Sequence, residues 1–208
     1  VSVARTPLSP ALAAWLDGVG AIPEPVRRLQ HEMAGADGEE MMTHPDLGAL
    51  LAVLVHATGG HRVLEIGTFV GTSALWMAPS LADDGHIDCL EADAGHADRA
   101  ADHLRRAGHH EQVTIHVAPA LDTLPALAPG YDLAYIDADK PAYPAYMSEC
   151  IRLVRPGGII VADNVFGGGA NDARAAGLRG VAEAAVDDDR LAATVLPVGD
   201  GIVLASRR

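Results

Sequence analysis

Short apolar or alternating runs at 61–66, 86–90, 113–117, 131–136 and 158–162 alternate with helical stretches at 72–82, 94–107, 120–127 and 141–154. No other feature of the chain limits its fold as tightly. A strand, a crossover helix and a further strand return to one sheet in parallel, so a succession of such units predicts an α/β domain with helices on both faces. The last stretch breaks the rhythm. A helix around 172–187 leads to the run 190–197, the turn Gly199-Asp200-Gly201 and the run 202–206, which read as a hairpin placing one antiparallel strand in a mostly parallel sheet. Open sheets of this kind bind ligands beyond the carboxyl ends of their strands, so chemistry is expected just after residues 66, 90, 117, 136 and 162.

Upstream, residues 8–34 read as two helices broken near Pro23 and Pro25, with Leu8, Leu12, Trp15 and Leu16, then Val26, Leu29 and Met33 at helical spacing. A third helix has Thr43 or Asp46 as its N-cap, Leu47, Leu50, Leu51, Leu54 and Val55 on its apolar side, and Gly59-Gly60 at its end. No linker divides the 208 residues, so the expectation is one domain: 1–45 a helical cap, 46–208 the core. A formal charge of −13 with 4% aromatic residues supplies neither a basic stripe nor stacking platforms, which excludes nucleic acid as a partner. The longest apolar runs, such as 48–57, fall short of the roughly 18–20 residues that span a bilayer. The first residues carry no charged-then-apolar leader, and a cytoplasmic protein without a membrane partner is expected. Cys89 and Cys150 read as reduced, buried hydrophobes, and Trp15 and Trp76 as core or subunit-interface residues.

The first strand end is the most informative. Residues 63–76, VLEIGTFVGTSALW, form a buried strand, an acidic residue, then Gly67 and Gly71 ahead of a helix near Thr72 or Ser73. Gly67 allows a tight turn beside a ligand and Gly71 lets the helix start come close. Phe69 breaks the dinucleotide GxGxxG pattern, and Glu65 would repel a pyrophosphate while suiting an amino-bearing ligand. Glu91, at the end of the second strand, stands where a carboxylate accepts hydrogen bonds from ribose hydroxyls. The combination points to an adenosine-containing cofactor without phosphates at the loop; the plain alternative is a strand-to-helix turn and nothing more.

The fourth and fifth strands supply hard oxygen donors. YDLAYIDADK, 131–140, delivers Asp137, Asp139 and Lys140, and GGIIVADN, 157–164, delivers Asp163 and Asn164. Neighbouring strand ends lie about 5 Å apart, so Asp137, Asp163 and Asn164 can converge on one divalent cation, with Mg²⁺, Mn²⁺ or Ca²⁺ favoured over Zn²⁺. The same residues can instead cap the following helix and form an Asx turn, and Lys140 can be an ordinary lysine at a helix start.

From about Met41 to its C-terminus the chain resembles the cation-dependent class I O-methyltransferases, the family of caffeoyl-CoA and catechol O-methyltransferases, through EIGTFVGTSALW, DADK and DN. The resemblance implies a Rossmann-like class I methyltransferase sheet and S-adenosylmethionine as cofactor. On it, Glu65, Gly67 and Ser73 hold the methionine end, with Gly71 in the same motif, Glu91 the ribose and Ala120 the adenine edge. Met41 and Thr43 belong to a segment closing over the cofactor, and Asp137 and Asp139 lie on the cofactor side. Asp137, Asp163 and Asn164 are the implied metal ligands, with Mg²⁺ foremost, and Lys140 the general base in a catalytic pair with Asp137. The implied acceptor is a small ortho-diphenol, whose phenolic oxygens a divalent cation acidifies and orients, and which leaves a proton for Lys140. A homodimer is expected, as relatives are commonly dimers.

One segment departs from plant members of that family, which carry a small residue, Leu and Trp after the Asp-Asn pair; here Val165, Phe166 and Gly167 to Gly169 follow. Arg174 and Arg179 are either acceptor contacts or a solvated helix face, and His44 is either near the site or a surface residue at a helix entry. Two other readings compete: a NAD-type oxidoreductase, opposed by Phe69 and Glu65, and a non-catalytic binding module, opposed by the intact Asp137, Lys140, Asp163 and Asn164.

Overall fold

A computed structural model describes residues 9–167 and 173–208. Leu8, Gly168, Gly169 and the Arg174 side chain lie outside what is described. Two helices, α1 (Pro10–Val19) and α2 (Glu24–Met33), precede α3 (Pro45–Thr58). Then follow β1 (Arg62–Ile66), α4 (Thr72–Met77), β2 (His86–Glu91), α5 (Ala94–Ala107), β3 (Val113–Val117), α6 (Ala120–Thr123), β4 (Tyr131–Ile136), α7 (Tyr143–Leu153) and β5 (Val154–Ala162). The chain closes with α8 (Ala173–Asp187), β6 (Leu191–Leu196) and β7 (Ile202–Arg207).

The strands form a seven-stranded sheet in the order β3-β2-β1-β4-β5-β7-β6. All pairs from β3 to β5 are parallel, and β7 runs antiparallel to both β5 and β6. The hairpin therefore inserts one reversed strand, as its turn residues suggest. After β1 the chain winds outward to β3 and then returns to place β4 on the other side of β1, which makes the carboxyl ends of β1 and β4 the point where strand order reverses.

Side chains alternate across the strands, so the sheet has an apolar layer on each face. Leu64, Ile66, Ala134, Ile136 and Ile160 pack with Tyr146, Cys150, Val181 and Ala185 on one side. Val63, Leu133, Tyr135 and Val161 pack with Val26, Leu29, Met33, Leu51 and Trp76 on the other. Gly48 gives the Trp76 ring its place: a Cβ there would lie 2.4 Å from the indole. Both cysteines are free and buried, and Trp76 belongs to the core. Trp15 does not, since 60% of it is exposed, along with Val19 on the same helix. Among the described residues no helix is long and apolar enough to cross a membrane.

Prolines account for most of the boundary differences. Pro79 and Pro125 sit where the expected helices 72–82 and 120–127 tighten into 3₁₀ turns, Ala78–Ser80 and Leu124–Ala126. The N-cap of α3 is neither Thr43 nor Asp46 but His44, whose Nδ1 accepts from the Asp46 amide at 3.4 Å ahead of Pro45 in the first turn. β5 starts at Val154 rather than 158, straight from the end of α7.

A buried carboxylate ties the opposite end of the sheet from the expected site. Asp132, at the start of β4, accepts from the His61 and Arg62 amides, each at 2.9 Å, and from Arg155 Nε at 2.6 Å. Arg155 also donates to the Thr58 carbonyl, so α3, β1, β4 and β5 share one knot. Burial alone would raise the Asp132 carboxyl, but the Arg62 amide, the Arg155 guanidinium and the His61 amide hold it below its ordinary value. A carboxyl held down in the folded chain stabilises it above its unfolded value, and that contribution is lost as pH falls through the lowered one. Asp132→Asn is expected to cost roughly 3 kcal/mol at neutral pH, read by denaturant unfolding, with the gap to wild type narrowing below about pH 4.

Candidate active site

Strand register assembles the site. Ile66 pairs with Leu90 on one side and with Ile136 on the other, and Ile136 pairs with Ala162. The ladder continues one step beyond each strand: Gly67 N donates to Leu90 O at 2.9 Å, Asp137 N to Ile66 O at 2.8 Å, and Asp163 N to Ile136 O at 2.9 Å. Gly67, Asp137 and Asp163 therefore stand side by side at one level of the sheet.

The turn after β1 leans directly on the end of β4. A Cβ at Gly67 would lie 2.0 Å from the Asp137 carbonyl oxygen, and φ there is +90°. Phe69 also adopts a left-handed conformation, φ 49°, at a cost of about 1 kcal/mol for a residue with a side chain. Glu91 holds the strained turn from one side: its Oε2 accepts from the Thr68 amide at 3.2 Å and the Phe69 amide at 2.7 Å, and its Oε1 from the Asp93 amide at 2.9 Å. The Phe69 ring meets His96 edge to face at 4.6 Å. Gly71, φ +90°, seats the start of α4 against Ala100 of α5.

Beneath the turn, Ser73 Oγ donates to Glu65 Oε1 at 2.5 Å. Glu65 is completely buried, and burial pushes its carboxyl up against the opposing hydrogen bond from Ser73. Ser73 lines the cavity directly, while Glu65 lies behind it with its second oxygen, Oε2, buried and without a protein partner.

The oxygen donors of β4 and β5 meet around two buried tyrosines and Lys140. The Tyr135 hydroxyl lies 3.0 Å from Asp163 Oδ2 and 3.4 Å from Asp137 Oδ2. Lys140 Nζ donates to Asp137 Oδ1 at 2.8 Å, to Asn164 Oδ1 at 2.5 Å and to the Tyr143 hydroxyl at 2.9 Å. Asn164 has φ 58°, a conformation asparagine tolerates better than most residues, and its amide donates to Asp163 Oδ1 at 2.6 Å. Burial, and then the neighbouring Asp137 charge, push the Asp163 carboxyl up to about 6. Burial and the same two carboxylates push the Tyr135 phenol up. Among the described residues no group of three His, Cys, Asp or Glu side chains forms a metal cluster. The donor set nonetheless fits a hard cation: two carboxylates and an amide oxygen converge, and the Lys140 ammonium already touches two of these groups as a cation would.

These features line one cavity of about 1110 Å³. Met41, Thr43, Gly67, Ser73, Glu91, Ala120, Asp137, Asp139, Lys140, Asp163 and Asn164 all border it; Glu65 and Gly71 stand behind its wall. Asp139 accepts a hydrogen bond from the hydroxyl of Tyr146, a buried residue that also lines the cavity. Met41 is 55% exposed, at the mouth. His44 and Phe166 border the cavity as well. Thr72 lines the cavity with a buried hydroxyl that has no protein partner, a free polar group for a ligand. Sequence reasoning passed over Tyr135, Thr72 and His96. Tyr135 carried a signal, because it stands two residues before Asp137 on a strand and so shares its face; His96 carried none.

With this geometry in view, residues 21–208 match the O-methyltransferase family. A catechol O-methyltransferase of Mycobacterium tuberculosis is 40% identical over 169 residues, 79% of this chain and 76% of that protein. The solved O-methyltransferase from Bacillus cereus, in complex with SAH, superimposes with a TM-score of 0.85 at 32% identity, covering 95% of this chain and 97% of that one. The O-methyltransferase TomG from Streptomyces achromogenes, involved in tomaymycin synthesis and solved with SAM, gives 0.81 at 30% identity over 94% of both chains. An open Rossmann-like sheet with its cavity at the point where strand order reverses has the ligand-binding architecture of the class to which these relatives belong. The chain belongs to the O-methyltransferase family, which sets aside the oxidoreductase and non-catalytic readings.

Two glycines with similar φ separate strain from close approach. Gly108, φ +84°, has open space where a Cβ would go, so Gly108→Ala should cost about 1 kcal/mol. Gly67→Ala must also push the turn off the Asp137 carbonyl. It is expected to lower stability several-fold more and to abolish ligand binding in the cavity, as thermal unfolding and calorimetry would show.

Proposed function

We propose that the protein is an S-adenosylmethionine-dependent, divalent-cation-dependent O-methyltransferase acting on a small ortho-diphenol. One observation carries the reading: the glycine turn and the oxygen donors touch, with Gly67 seated on the backbone of Asp137. A methyl donor held by the turn and an acceptor oxygen held at Asp137, Asp163 and Asn164 are thereby adjacent, as an in-line displacement requires. The names of the relatives support both halves, one being a catechol O-methyltransferase and two others having been solved with SAM or SAH.

On the donor side, Ser73 and Thr72 present hydroxyls to the methionine end and Glu91 faces the ribose. Glu91 already accepts from three amides, so of about four lone-pair sites on a carboxylate it retains one for a ribose hydroxyl. Ala120 and Leu121 flank the adenine, and Met41 and Thr43 cover the donor from the upstream side. Glu65 fixes Ser73 from below.

On the acceptor side, Asp137, Asp163 and Asn164 would hold the divalent cation, and Tyr135 would keep the two carboxylates in place. A bound Mg²⁺ or Mn²⁺ supplies Lewis-acid acidification of the acceptor hydroxyl. In the reaction the acceptor oxygen gains the methyl group, the donor sulfur loses it and becomes a neutral thioether, and the phenolic proton leaves. Lys140 is assigned as its destination. Its three ammonium donors are taken by Asp137, Asn164 and Tyr143, so it accepts a proton only after giving one up and releasing one of these partners, which frees its lone pair. Phe166, on the acceptor wall, provides an apolar face for the ring.

The test is turnover of an ortho-diphenol panel with S-adenosylmethionine and Mg²⁺. Methylation is expected with the cation and none with EDTA; turnover indifferent to EDTA would remove the cation from the mechanism. Asp163→Ala is expected to lose at least 100-fold in kcat/KM and to lose Mn²⁺ binding seen by electron paramagnetic resonance, while donor affinity changes less than about threefold. Glu91→Ala should do the reverse, weakening S-adenosylmethionine with Mn²⁺ binding intact. Lys140→Met with full activity at neutral pH would exclude it as the proton acceptor.

A further inference from the structure

The side of the glycine turn facing away from Glu91 is held by a histidine that the reaction does not use. His103, on the inner face of α5, is 8% exposed. Its Nδ1 lies 2.8 Å from the Val70 carbonyl oxygen, in the turn itself, and its Nε2 lies 3.2 Å from Glu32 Oε2, on α2. Arg106, one turn further along α5, holds the same Glu32 through both oxygens, at 2.8 and 3.0 Å. The Arg106 guanidinium holds the Glu32 carboxyl down at about 2, so Glu32 is an ionised acceptor.

Three consecutive residues of the turn are therefore clamped from both sides. The Thr68 and Phe69 amides are fixed to Glu91 at the cavity, and the Val70 carbonyl is fixed to His103 behind it. Phe69, between these clamps, is the residue with the left-handed backbone, a conformation that persists only where its neighbours over-determine it. The other end of the bridge matters as much. Shortly after α2 comes the segment Glu40–Thr43, which lines the same cavity as Thr68 and Phe69, and the Phe69 ring packs against Gly38 just before it. His103 thus ties the glycine turn, through Glu32, to the end of α2, from which the chain runs on into the cavity-lining segment Glu40–Thr43.

We propose that His103 is a positioning residue for methyl transfer, joining α2 to the glycine turn so that the turn and the upstream segment close on the methyl donor together. The inference rests on the reading of this cavity as the S-adenosylmethionine site. His103 touches neither donor nor acceptor, so its removal should act on donor binding and not on the chemistry once donor is bound.

The experiment measures S-adenosylmethionine affinity by calorimetry, and KM and kcat for the donor with a saturating ortho-diphenol and Mg²⁺, for wild type, His103→Val, His103→Gln and Glu32→Gln. His103→Val is expected to raise the donor Kd and KM about tenfold with kcat at saturating donor within twofold and Mn²⁺ binding unchanged. His103→Gln keeps a donor for the Val70 carbonyl and should recover most of that loss. Glu32→Gln, at a half-exposed position, should raise the donor Kd two- to threefold and serves as the deciding variant if His103→Val does not fold. A lowered melting temperature with donor Kd unchanged in both His103→Val and Glu32→Gln, or in Glu32→Gln alone where His103→Val is unfolded, would overturn the inference and leave His103 a packing residue. Wild-type protein that does not bind S-adenosylmethionine at all would instead overturn the function proposed above.

Discussion

The Asp137 carbonyl oxygen leaves no room for a side chain at position 67, and the rest of the site follows from that contact. It exists because β1 and β4 are adjacent and in register, so that the residue after Ile66 and the residue after Ile136 emerge at the same height. Extension of the ladder to Asp163 adds the third strand. A one-residue slip in either pairing would turn every side chain of that strand to the other face, so two buried apolar layers enforce the alignment. Packing energy far from the cavity thereby sets distances inside it.

Electrostatics at this point are arranged at the expense of stability. Asp137 and Asp163 are brought together in a poorly solvated corner, and the Asp163 carboxyl is driven up to about 6 by burial and by its neighbour. Tyr135, Asn164 and Lys140 partly offset the repulsion with hydrogen bonds and one positive charge. The two carboxylates are left with less positive charge than they carry negative, which is the feature on which the proposed cation dependence rests. The Asp132 knot at the other end of the sheet shows the contrast: there an equally buried carboxylate is saturated with donors and held down, which suits a structural role.

Much of this was legible in the residues. The alternation of runs gave the parallel sheet, the Gly199-Asp200-Gly201 turn gave the reversed strand, and eleven of the thirteen candidate site residues border one cavity. The misreadings share a cause. Thr43 looks like a helix cap by residue type, yet Pro45 sets the helix start and leaves Thr43 to the cavity wall. Trp15 has the spacing of a core residue, yet most of it is exposed, which leaves only the subunit-interface half of its reading open. Local pattern does not tell which side of an element meets a neighbour.

By itself the sequence determined which residues end strands, because apolar runs and glycine turns are local and periodic, and so which oxygens and which turn were available for chemistry. Only the tertiary structure decided which ends are neighbours. The return of the chain from β3 to the far side of β1 brings Gly67, Asp137 and Asp163 together across gaps of 70 and 26 positions in sequence. The same folding brings Glu32, His103 and Val70 onto one line. Those meetings depend on how layers of side chains bury one another, a property of the whole packed sheet that no single segment carries.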